Sequence, residues 1–332
     1  MSFRIDMHSH YYGGALPEML RARRSYPCLR RLPDGTDNMI AMNGGFPFSA
    51  AYYDPQVGLA QMDSEGITHR MITFPGALGV DLLPLDAAPA ISAFNRHLAQ
   101  LGAQTKGRLI GLAGLPLADT DLAVREVAAI RALGLPGIIL PGNYFSTIEA
   151  AAPLRPILAE ASRLGALVMV HPGLVLGQAP PVLPSEHPQY RVSALDLQNQ
   201  IAQTALTVIL SDMLETYPGI RFQIVNLGGT LPFIFERLES IARHRNPGAP
   251  FPTDRLRQLW YDCASLGPRA LETAVELLGA DRIMLGSDYP IFKDNPVTTV
   301  QSSRLTAAQK EQVLAQTAYD LLTALGCDIQ NG

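Results

Sequence analysis

Phe3-Arg4-Ile5-Asp6-Met7-His8-Ser9-His10 reads as a short buried strand that ends in His-X-His. Side chains alternate across a strand, so His8 and His10 project to the same side and can hold one metal ion from above a sheet. Two other ligand-type residues, His171 and Asp288, lie far along the chain, each just after an apolar run. The rest of the sequence therefore reads as scaffold that gathers these four side chains.

Working outward, strands and helices alternate. An irregular stretch over 11–53, rich in Gly, Pro and Asn, precedes a helix over 55–65 that Gly66 closes. Further strands are expected over 70–74 (ending in Pro75-Gly76), 109–115, 137–140, 166–170, 221–225, 259–263 and 282–285. The helices between them are expected over 87–105, 122–133, 152–164, 194–217, 231–245 and 268–278, with a short one at 254–258 and a last one over 307–325. A second long, Pro-rich loop covers 174–191.

Runs such as Val168-Met169-Val170 and Ile283-Met284-Leu285 suit strands buried on both faces. Eight of them with intervening helices predict an α/β fold: a single (β/α)8 TIM-type barrel over 1–332, with long loops after strands one and five. Its active site would lie at the C-terminal strand ends. A doubly wound open sheet is the rival. That fold normally carries a Gly-rich phosphate turn, and neither G-x-G-x-x-G nor G-x-x-x-x-G-K-[ST] occurs.

The 332 residues suit one such barrel, and 47% hydrophobic against 17% charged residues suits a soluble globule with a large core. A net charge of −4 leaves no electrostatic footprint for nucleic acid. No apolar run reaches membrane-spanning length, and the start runs straight into a strand, which predicts no signal peptide. Cys28, Cys263 and Cys327 are scattered and odd in number, which argues against a disulfide framework or a metal knuckle. Cytoplasm is the expected compartment.

In a barrel, His8, His10, His171 and Asp288 follow strands one, five and eight and surround one mouth. Three imidazoles and a carboxylate suit Zn²⁺ first, with Mn²⁺ or Fe²⁺ as alternatives. A lone histidine at a strand end is ordinarily a polar rim residue. Ligand-type side chains at three independent strand ends favour the metal. His97 and His244 fall inside helices, His187 in the Pro-rich loop and His69 just before a strand, so these read as structural.

Asp6-Met7-His8-Ser9-His10, Val170-His171-Pro172, Asn226-Leu227-Gly228-Gly229 and Leu285-Gly286-Ser287-Asp288-Tyr289-Pro290 together resemble the amidohydrolase superfamily, in its aminocarboxymuconate-semialdehyde decarboxylase-like branch. The likeness runs over nearly the whole chain. It implies a β/α barrel, one divalent metal, a small carboxylic acid or carbonyl substrate, and non-oxidative decarboxylation of an aromatic or unsaturated acid. Relatives that hydrolyse C–C, C–N or ester bonds supply the alternative activity. It also implies a homodimer, with Arg237 in the basic segment 237–245 reaching toward a neighbouring site.

Two departures from the family pattern stand out. Asn226 occupies the position where the family normally has an acid/base histidine, directly before Leu-Gly-Gly. Asparagine cannot relay a proton. Either the chain is a natural variant with altered chemistry or it carries an engineered change. Asn226 is also the one feature that favours a non-catalytic, ligand-binding barrel. The second departure is Phe46, which stands where the branch's namesake has an arginine, so a less charged, aromatic substrate is expected. Asp288 is the candidate proton carrier as well as a metal ligand. Phe46, Asn143, Tyr144 and Tyr289 are candidate pocket-lining residues.

Overall fold

The structure, a computed structural model, describes residues 3–41, 44–74, 84–85 and 88–329. Strand β1 (Ile5–Asp6) comes first. It is followed by β2 (Cys28–Arg31), β3 (Asp37–Ala41) and β4 (Gly44–Phe48), an antiparallel sheet of their own. The remaining strands alternate with helices: β5 (His69–Thr73), β6 (Leu109–Leu112), β7 (Gly137–Pro141), β8 (Leu167–His171), β9 (Arg221–Ile224), β10 (Trp260–Asp262) and β11 (Ile283–Met284).

These strands form two parallel sheets, in the orders β1-β5-β6 and β11-β10-β9-β8-β7. Single bridges link the sheets at both pairs of edges. Asp6 pairs with Leu285, and Met7 N–H donates to Leu285 O at 2.8 Å. Ala113 pairs with Ile138, and Ala113 N–H donates to Gly137 O at 3.0 Å. All five residues of β5, β7 and β8 are buried, as strands covered on both faces must be. Gly137 is required where β7 meets β8, because a Cβ there would lie 1.9 Å from Leu167 O.

The helices start and stop where short-range chemistry directs. Asp119 caps the helix Thr120–Ile130 by accepting from Leu122 N–H, and Thr306 and Gln309 form a reciprocal capping box. Gly66 and Gly165 end theirs in the left-handed conformation. Among the described residues no helix is long and apolar enough to cross a membrane.

Four expectations need correction. The stretch 11–53 is not irregular: it holds the helix Leu16–Ala22 and the sheet β2-β3-β4. Buried Asp37 ties that unit together, accepting from Arg21 at 2.8 Å and from Arg31 at 3.3 Å. The helix expected over 194–217 begins earlier, with a wide i→i+5 turn over Gln189–Asp196. It continues as Leu197–Leu210 and breaks before Met213–Thr216. The last helix is interrupted by a wide turn over Gln312–Gln316, an extra residue that a 3.6-residue period does not reveal. The helix Pro296–Ser302, capped by Asn295, was not expected. Met1, Ser2, Pro75, Gly76 and Ala87 lie outside the described residues.

Candidate metal centre

Asp6 sets the geometry beneath the cluster. Its Oδ1 accepts from the backbone N–H groups of His8 (3.2 Å) and Ser287 (3.0 Å). Its Oδ2 accepts from Arg70 Nε (2.7 Å) and Ser287 Oγ (2.6 Å). One buried carboxylate thus joins β1, β5 and the segment after β11. His8 O in turn accepts from Asp288 N–H at 2.8 Å, which carries Asp288 to the side of the His-X-His pair.

The structure brings His8, His10, His171 and Asp288 together. All four are buried, and one potential ligand atom from each lies within 4.8 Å of the others. Each histidine has its Nδ1 occupied. His8 Nδ1 faces Asp262 Oδ1 at 3.0 Å, and His171 Nδ1 faces Pro172 O at 3.1 Å. His10 Nδ1 faces Thr73 Oγ at 3.1 Å, while that hydroxyl donates its own proton to Ser9 O. All three partners are therefore acceptors, so each Nδ1 carries a proton and each Nε2 is the nitrogen left for a metal ion, as in metal-ligating imidazoles.

Asp288 Oδ1 lies 3.1 Å from His10 Nε2 and 3.7 Å from His8 Nε2. His8 Nε2 is buried without a hydrogen-bond partner. A buried orphan acceptor among two more imidazoles and a carboxylate fits one divalent cation. Burial opposes a charge on His8, but the Asp262 carboxylate outweighs it, helped by Asp288 and Asp6, and pushes the imidazole up to about 9. His171 moves the other way, well below the usual histidine value, through burial and the neighbouring His10 and His8.

The other candidates lie around this core. Asn226 follows β9 in a left-handed conformation, φ 52°. Its N–H donates to Asp262 Oδ1 at 3.2 Å and its Nδ2 to Ser265 Oγ at 2.7 Å. It is thus one carboxylate away from His8. Gly229 allows the close approach that follows, since a Cβ there would lie 2.0 Å from Gln198 O. Phe46, on β4, packs against Tyr52 with ring centres 5.2 Å apart. Burial first, then the charges of Asp288 and Tyr289, push the Tyr52 phenol up to about 12.

Tyr289 O accepts from His10 N–H at 2.7 Å, and the Arg70 guanidinium sits 4.6 Å over the Tyr289 ring. Asn143 Nδ2 donates to Gln178 Oε1 at 2.9 Å, and Tyr144 OH accepts from Leu176 N–H at 3.3 Å. Both therefore bind the loop after β8, beside a cavity of about 380 Å³ lined partly by Asn143, Gln178 and Arg191. Arg237 is exposed on the helix Leu231–Arg245 and makes no ion pair among the described residues. Sequence reasoning missed Asp262, Asp6 and Tyr52. The available signal for Asp262 was a lone acid closing the strand Trp260-Tyr261-Asp262.

A family model described as amidohydrolase matches residues 5–323. The chain belongs to the amidohydrolase family. This amidohydrolase is 28% identical to a 2-amino-3-carboxymuconate-6-semialdehyde decarboxylase of Dictyostelium discoideum, over 97% of this chain and 92% of the relative. Its fold is similar to that of solved structures. One is the IDCase of Metarhizium anisopliae in its apo form, with TM-score 0.84, 19% identity and 98% of both chains covered. Another is a dihydroxybenzoic acid decarboxylase of Polaromonas sp. JS666 with bound manganese and the inhibitor 2-nitroresorcinol. There the TM-score is 0.73 and the identity 20%, over 99% of this chain and 98% of that one.

Proposed function

We propose that this amidohydrolase is a metal-dependent, non-oxidative decarboxylase of an aromatic or unsaturated carboxylic acid. The observation that carries the reading is the buried cluster of His8, His10, His171 and Asp288, in a chain similar to decarboxylases of both substrate types. These four side chains would hold one divalent ion, Zn²⁺ or Mn²⁺. When bound, the ion would supply positive charge that draws electron density from the substrate.

The chain's own residues supply the rest. Asp288 takes a proton from solvent and gives it to the substrate carbon that bears the carboxylate; the bond from that carbon to the carboxylate then breaks, carbon dioxide leaves, and its bonding electrons restore the unsaturated system. Asn226 has no proton to exchange and acts as a fixed polar group at the mouth. Phe46 and Tyr52 form an apolar wall that suits a ring better than a second charge. Asn143, Tyr144 and Tyr289 complete the pocket.

The parallel strands form one eight-stranded β/α barrel, and the Asp6–Leu285 and Ala113–Ile138 bridges support its closure. The protein acts as a homodimer, with Arg237 directed at the partner. A monomer by light scattering at micromolar concentration would remove that part. Three free thiols, Cys28, Cys263 and Cys327, suit the reducing cytoplasm.

The test is to load the protein with Zn²⁺ or Mn²⁺ and incubate it with 2-amino-3-carboxymuconate-6-semialdehyde and with dihydroxybenzoic acids. Released carbon dioxide and product mass are then measured. Decarboxylation removes carbon dioxide from the substrate, whereas hydrolysis adds water. Addition of water, or no turnover in either metal form, overturns the reading.

A further inference from the structure

Asp262 is fully buried. Its Oδ1 accepts from three donors: His8 Nδ1 (3.0 Å), Asn226 N–H (3.2 Å) and Ala264 N–H (3.2 Å). Its Oδ2 accepts from Gln223 Nε2 (2.9 Å), which also reaches Met7 O (3.1 Å). Hydrogen bonds alone do not account for a charged group here. A neutral acceptor could serve the same donors, and a buried carboxylate is costly unless a positive charge answers it. No arginine or lysine makes an ion pair with Asp262 among the described residues. The group that faces it is His8, whose far nitrogen is the buried atom without a partner.

We infer that Asp262 is a positioning residue for the metal centre. It holds His8 in the Nδ1–H form, makes its Nε2 a stronger donor to the ion, and pins the backbone at Asn226 with the same oxygen. The inference rests on the metal-centre reading above and names the group that orients one ligand. It also explains why Asn226 takes a left-handed conformation: its N–H must turn back to reach Oδ1. The end of β9 is therefore set by the same carboxylate as the ligand on β1.

Two substitutions separate charge from shape. Asp262→Asn keeps the volume and one acceptor. Gln223 Oε1, buried without a partner, can turn to accept from the new amide. Asp262→Leu removes both charge and acceptor. Zn²⁺ affinity is measured by competition with a chelator, and the site is also read by the visible absorption of bound Co²⁺. Loss of a group that orients a ligand typically weakens metal binding about 10–100-fold. Asp262→Asn should fall near ~10-fold and Asp262→Leu near ~100-fold, both still reaching one ion per chain at saturating metal and both with altered Co²⁺ bands.

Asn95→Ala serves as the control for a purely structural role. Asn95 is buried and bonded to Gly114 and Glu126, so it should lose stability without losing metal affinity. If both Asp262 variants are recovered unfolded, Gln223→Leu decides, with a few-fold weaker Zn²⁺ affinity expected. Wild-type affinity and Co²⁺ bands in the folded variants would overturn the inference. A wild-type protein that binds Zn²⁺ but releases no carbon dioxide would instead sink the decarboxylase reading and leave Asp262 in place.

Discussion

His8 and His171 are the same side chain in the same cluster, both buried, and the protein treats them in opposite ways. His8 leans on a buried carboxylate and is pushed up to about 9. His171 leans on the carbonyl of Pro172 and falls well below the usual histidine value. Burial acts on both in the same direction, so the partner decides the outcome. The side of the site built from β1, β9 and β10 carries charge beneath its ligand, while the side built from β7 and β8 is neutral. One side is an electrostatic anchor; the other is a wall that presents a ready, unprotonated imidazole.

The largest expected effect removes two ligands at once. His8→Ala with His10→Ala should abolish metal binding, and elemental analysis should drop from about one ion per chain to none. Tight metal retained in that protein would show that the ion is held elsewhere and end the comparison.

Asn226→His adds an imidazole on the charged side, at a residue whose backbone N–H bonds Asp262. With equal metal loading, the single-turnover rate on an accepted acid should rise by ~10²–10⁴, the usual contribution of a positioned acid or base. Rates within a few-fold of each other would mean that an imidazole at this position adds nothing to the proton transfer already assigned to Asp288.

Stability of the metal-free protein distinguishes the two sides further. His8→Ala leaves Asp262 buried without its cationic partner and should cost about 3–5 kcal/mol in urea unfolding. His171→Ala removes packing and one hydrogen bond, at about 1–2 kcal/mol. Equal losses would erase the asymmetry.

The smallest effect is the pH profile of the metal-free protein. His8 has a folded pKa of about 9, above its ordinary 6.5. Its contribution is therefore complete below 6.5 and lost as pH rises through about 9. His171 is depressed, so the unfolded chain takes up its proton first and stability falls as pH drops below the ordinary histidine value. Urea midpoints followed across pH should show both limbs, the alkaline one missing in His8→Gln and the acid one missing in His171→Gln. An alkaline limb unchanged in His8→Gln would assign it to another group.

The strands of the two parallel sheets were legible because both-face burial writes continuous apolar runs, as in Leu167–His171. The cluster of candidate ligands was legible because a histidine or aspartate after such a run stands at a strand end. The sheet β2-β3-β4 was not. Gly44, Gly45 and Pro47 sit inside its last strand, and the residues that hold it, Arg21, Arg31 and Asp37, are charged groups that pair only in three dimensions. Asp262 was hidden for a related reason. It closes the strand β10, but its role depends on His8, 254 positions away, and no local spacing records that. Asn226 was expected at the strand ends from its place after an apolar run, but no local spacing shows that its backbone faces Asp262.

Asn226, Leu227, Ser265 and Asp288 all have φ between 52° and 58°. None is glycine, and this left-handed backbone costs an L-residue roughly 1–2 kcal/mol. The conformations are gathered after β9, β10 and β11, around Asp262 and Asp288. A laboratory search for heat-tolerant variants, scored on folding alone, would therefore be drawn to this rim. Glycine at Ser265 would relax the backbone and raise the melting temperature, while removing the hydroxyl that holds the Asn226 side chain; at Leu227, which is buried in the core, the lost packing would outweigh the relief. Thermal hardening of this chain should be sought in its outer helices, because the rim is where gains in durability and loss of turnover coincide.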